Sequence, residues 1–142
     1  MSITKAKGSV FKIGDGTSPE AFSTIGQMRA FSQSGPSATI QDVTTHSTSG
    51  DWMEKLATLL DGGTISGPIN YNSTDTTHAF TTGVWSDLVG LTLRNTQIVF
   101  AGSAGTLAQA GYFSSHSFDF PVDNVLQANI EYSISGAITA TN

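Results

Sequence analysis

The chain has 142 residues, a length that fits one domain with a single core. Eleven Asp and Glu against six Lys and Arg give a formal charge of −5, which argues against wrapping a phosphate backbone and so against sequence-specific DNA binding. The absence of cysteine excludes disulfides, thiolate zinc sites and a Cys nucleophile together.

Only 12% of the residues are charged. Ser, Thr and Gly are abundant, and they favour pleated strands and turns over helices. The N-terminus, MSITKAKGSVFKIG, is locally basic but runs into no apolar stretch, and no segment reaches the length of a membrane span. The expectation is a protein folded in the cytosol with no membrane insertion.

In chain order, residues 9–14 read as a strand with Phe11 and Ile13 on one face, closed by the loop GDGTSPE. A second strand is expected over Ile25–Ser34, ending at Gly35-Pro36, and a third over Ala38–His46. Between His46 and Asp61, Trp52, Leu56, Leu59 and Leu60 fit a helical stripe barely two turns long, so a short helix and an ordered apolar loop both remain open. Asp61-Gly62-Gly63 is a turn signal, and Thr64–Asn72 alternates as a strand. Pro68 within it lacks an amide donor, which places this strand at an edge or at a bulge.

One helix is predicted over 76–90, capped by Asp75 or Thr76, carrying Phe80, Val84 and Leu88 on one face and closed by a left-handed Gly90. Strands follow at Leu91–Phe100 and Gly111–Phe120, separated by the small-residue loop AGSAGTLAQA. The final strand, over 125–139, alternates most strictly, with Ile130, Tyr132, Ile134 and Ile138 facing one way and Asn129, Glu131, Ser133 and Ser135 the other. Strands on both sides of one helix predict a mainly β (α+β) domain over 1–142, a sandwich or barrel with one flanking helix.

No catalytic constellation emerges. His46, His78 and His116 each lack a second ligand at metal-binding spacing, although Asp119 lies near His116, and they read as structural or surface residues. No G-x-S-x-G elbow supports a Ser nucleophile, and the Gly-rich pieces at 14–16 and 102–105 lack a phosphate-loop lysine. Neither an enzyme nor a cofactor site is expected. The distinctive feature is the apolar insert Trp52–Leu60 between polar turns, which either folds back over its own core or docks on a neighbour.

The order of parts across 40–72 carries a resemblance. Asp42-Val43-Thr44-Thr45-His46-Ser47, Gly50, the insert, then Asp61-Gly62-Gly63-Thr64-Ile65-Ser66-Gly67 and Ile69-Asn70-Tyr71, followed by one helix and a long alternating strand, resembles the tail tube (major tail) proteins of siphophages. The resemblance implies a self-assembling virion protein whose six-membered rings stack into a tube through which genomic DNA passes without specific binding. It also implies a loop that joins subunits, here Trp52, Met53, Leu56, Leu59 and Leu60, with Glu131 the candidate acidic residue facing the lumen. Tape measure, tail terminator and distal tail proteins would be further partners, with assembly in the host cytoplasm. Contractile-tail tubes share the architecture and rank second. With the chain ending at Asn142, a plain tube without an added immunoglobulin-like domain is expected. The alternative of a different class is a carbohydrate-binding, adhesin-like β-sandwich, which requires exposed aromatics such as Trp52 or Trp85 in a groove.

Overall fold

The computed structural model describes residues 3–142. The strands are β1 (Val10–Gly14), β2 (Phe22–Thr24), β3 (Ser32–Gln33), β4 (Ser37–Asp42), β5 (Lys55–Asp61), β6 (Thr64–Asn70), β7 (Arg94–Val99), β8 (Thr106–Asp119) and β9 (Gln127–Thr141), with one helix, α1 (Val84–Val89), before β7. Seven strands form one antiparallel sheet in the order β2-β1-β7-β8-β9-β6-β3, while β4 and β5 pair only with each other. The architecture is mainly β, as the sequence predicts.

Both sheet edges belong to one stretch of chain. In place of the expected single strand over Ile25–Ser34, residues 22–33 bond first to β1, with Thr24 opposite Lys12 and the Ile25 amide on Phe11 O, and then to β6. There Gln27 O accepts from the Asn70 amide, Met28 bridges Ile69, and Ser32 lies opposite Ser66. This segment closes the sheet on itself. Pro68 and Asn70 direct their backbone polar groups to this same side, since Arg29 N donates to Pro68 O. The missing amide of Pro68 therefore falls on the closing seam, and the ladder from β6 to β9 runs unbroken.

Two irregularities bend the longest pair. Between Phe113 and Ser115, β8 carries an extra residue against Tyr132 and Glu131, and between Ser135 and Thr139, β9 bulges around Gly136 at φ +86°. Bulges of this kind add twist and curl a strand. The concave face holds the core, with Phe11, Ile65, Ile69, Ile130 and Tyr132 buried, and Phe11 and Phe113 meeting Tyr132 edge-on. The Tyr132 hydroxyl donates to Arg94 O at 2.6 Å, and burial pushes its pKa up to about 12.

The helix is shorter than the predicted 76–90. Asp75 Oδ1 accepts from the Thr77 amide and hydroxyl and winds residues 75–82 into turns. Gly83 is extended rather than helical, with the Thr77 carbonyl lying where any Cβ would sit, and Val84 N then bonds to Thr77 O. At the far end Leu91, not Gly90, takes the left-handed conformation, at φ 52°. The helix is pinned through Asp87, whose carboxylate takes both Nε and Nη2 of Arg94, at 3.0 and 2.7 Å. That pairing raises the Arg94 pKa further above its ordinary value. Phe80, in the turn before the helix, packs with Trp85, Tyr71 and Phe118. The second half of the expected loop AGSAGTLAQA is strand, because β8 begins at Thr106, and residues 101–103 form a tight turn.

Candidate assembly interface

The segment Trp52–Leu60 forms neither of the two structures left open for it. Lys55–Asp61 is a strand, paired with Ser37–Asp42 in a two-stranded arm that stands off the body. The apolar positions alternate well enough for a strand, and β4 supplies the partner that a helix or loop would lack. The strands flanking the insert are consequently split. β4, expected within the domain body, belongs to the arm, and only β6 joins the main sheet.

Every residue of β4 and β5 is exposed. Trp52 and Leu60 are each 83% exposed, and Leu59 71%. The pairings put Ala38 opposite Leu60 and Ile40 opposite Ala57, so these four share one face. Leu56, opposite Gln41, points the other way, and a bulge opposite Thr39 sends Leu59 to that side too. Met53 and Trp52 sit where the strand gives way to the tip. The structure thus gathers Trp52, Met53, Leu56, Leu59 and Leu60 onto one element but divides the leucines between its two faces. A monomer would gain nothing from a hairpin apolar on both sides. Sequence reading missed Ile40 and Val43 as members of this surface, although their alternation with polar residues was a usable signal.

The arm is firmly rooted. Asp61-Gly62-Gly63, read as a turn between the apolar insert and the strand at 64–72, is the step from the arm to the body. Gly63 takes φ +82°, and the backbone of Gly35 crosses so close that a Cβ on Gly35 would strike the Gly62 carbonyl. Around this crossing Ser34 N donates to Thr64 O, Thr64 N to Ser34 Oγ at 3.0 Å, and Ile134 N to Gly63 O. At the tip, Thr44 Oγ1 accepts from Glu54 N at 2.8 Å and Val43 N donates to Glu54 O. Asp42 accepts hydrogen bonds from Thr44, which hold its carboxyl below the ordinary range.

Glu131 lies elsewhere, on the convex face of β9 between Ser66 and Ser115, half-buried and accepting from Ser114 Oγ at 3.1 Å. Its neighbours on that strand face, Asn129, Ser133 and Ser135, are neutral and exposed. The histidines are apart. His78 is buried with Nδ1 accepting from Asn72 N and Nε2 meeting Gly26 O, a tautomer fixed by backbone on both sides. His116 lies against Trp85 and Phe118, and burial lowers its pKa. His46 is exposed in the arm. Trp85 packs among Phe80, His116 and Phe118, while Trp52 protrudes on the arm, so the two tryptophans form no common sugar-binding groove.

No family model and no curated protein sequence matches the chain. Solved structures do. A chain of the tail of an empty gene transfer agent (GTA) particle, of C6 symmetry, superposes with a TM-score of 0.76 at 20% identity, covering 99% of this chain and 100% of that one. The SPP1 tail tube matches at TM-score 0.70 and 7% identity, over 99% of this chain and 80% of its own. The sheath/tube terminator of an extracellular contractile injection system, PVC, matches at 0.72 and 11%, over 100% and 99%. The chain has the tail tube fold, and that fold is common to contractile and other tails.

Proposed function

We propose that the chain is a structural subunit of a phage tail tube, and that copies of it form six-membered rings stacked around a channel for DNA. The observation that carries this reading is the arm 37–61, whose two strands are exposed throughout and apolar on both faces, rooted in a tail tube fold. Burying Ile40, Trp52, Leu56, Leu59 and Leu60 is worth about 1.5–3 kcal/mol for each side chain, from which the entropy of association is subtracted. Six-fold rings are supported by the C6 symmetry of the GTA tail. A siphophage-type tail is the reading carried over from the order of parts in residues 40–72, and tape measure, terminator and distal tail proteins are the expected partners within the virion.

In this arrangement the convex face of β6, β8 and β9 lines the channel. Hydroxyl and amide side chains there offer DNA no cations to exchange for its counterions, and Glu131 repeats once per subunit as a ring of carboxylates. Electron microscopy of the purified protein at rising concentration tests the proposal. Rings or tubes with a central channel are expected, and a protein that stays monomeric even with tail partners present overturns it.

A further inference from the structure

An 880 Å³ cleft opens on the body, and no residue of the chain's own arm lines it. Met28, Phe31, Ile98 and Phe100 give it an apolar floor. Lys5, Lys7 and Arg29 line its rim, and no acidic side chain does so among the described residues. One wall is the N-terminal stretch, held where Ser9 Oγ accepts from the Ala101 amide at 3.0 Å and Ser9 N donates to Ala6 O. Half of the six Lys and Arg of an acidic chain are gathered here.

The arm has the opposite character. Over residues 37–61 it carries Asp42, Asp51, Glu54 and Asp61 against Lys55 alone, beside its apolar side chains. Resting on the tube reading above, we infer that this cleft is the socket for the arm of a second copy of this chain. Apolar side chains meet the floor and carboxylates meet the basic rim, a charge pattern that sets orientation and rejects wrong partners. Arm and socket are different parts of the surface, so the contact is head-to-tail and propagates from copy to copy. Phe31 leads through β3 into Gly35, which makes the wall that receives one arm the root of the next.

The chain has no cysteine, so introduced ones report contacts cleanly. Single variants Ala57→Cys in the arm and Ala30→Cys in the cleft are co-assembled and treated with a short bifunctional maleimide. A covalent dimer is expected from the mixture and from neither variant alone. Separately, Lys5→Glu, Lys7→Glu and Arg29→Glu together raise the critical concentration for assembly about tenfold, the scale of a few partly screened ion pairs, and Asp51→Lys with Glu54→Lys restores it. Val122 is exposed and lies outside the cleft, so tubes that form while Ala57→Cys links to a Val122→Cys partner and not to Ala30→Cys overturn the socket and leave the tube reading standing. The socket also falls if the charge-reversed cleft assembles as before but loses affinity for duplex DNA. Parent protein that never assembles sinks both.

Discussion

Asp87 and Arg94 show how a single pair fixes the helix to the sheet. Asp87 is buried and both its oxygens are taken by one guanidinium. Replacing Arg94 by Ala leaves that carboxylate buried and unpaired, and a loss of about 3 kcal/mol in chemical denaturation is expected. Tyr132 offers a cleaner pH test. Its folded pKa, about 12, lies above the ordinary 10.0, so the neutral phenol is favoured in the fold. The corresponding stability is fully present below pH 10 and is lost as pH rises from 10 through 12. Tyr132→Phe is expected to cost about 1 kcal/mol at neutral pH by removing the bond to Arg94 O, and to abolish the alkaline decline in that window.

Among the elements, the arm adds little buried surface to the fold, and on the tube reading its side chains serve assembly. Trp52→Ser with Leu56→Ser is expected to stop tube growth while the melting temperature of the monomer stays within about 2 °C, because exposed positions hold little of the fold. A monomer melting far lower would assign these side chains to the core. Hydrogen exchange gives an independent reading, since amides of β4 and β5 should exchange fast in the monomer and become protected in the tube. The arm also marks the limit of what sequence reveals. β1, β6, β7 and β9 were legible because one face of each is buried and period-2 alternation records it. The arm has no buried face in the monomer, so its apolar residues fitted a helix as readily as a strand. The helix itself was overextended because Gly83 obeys a backbone contact with Thr77 that no local pattern encodes. Exposure of the five insert residues was one of two outcomes the sequence left open, and their division between two faces depends on a bulge. The cleft joins residues from three separated stretches, and nothing local announces it.

For the whole molecule, stability and assembly are linked by mass action. A subunit that docks in a tube only when folded should melt at a temperature that rises with protein concentration, whereas the Trp52→Ser, Leu56→Ser protein should melt at one temperature throughout. Scanning calorimetry over a dilution series distinguishes the two.

The bulge opposite Thr39 has a further consequence. The two strands of the arm leave their outer edges unpaired, and a flat hairpin with leucines on both sides would template amyloid-like stacking. A bulge twists that ladder out of true, and Asp42 and Asp61 at its ends act as gatekeepers against like hairpins. On the tube reading, the irregularity in the arm is a safeguard for the interval between synthesis and capture, when the subunit is most exposed to fibrillar misassembly.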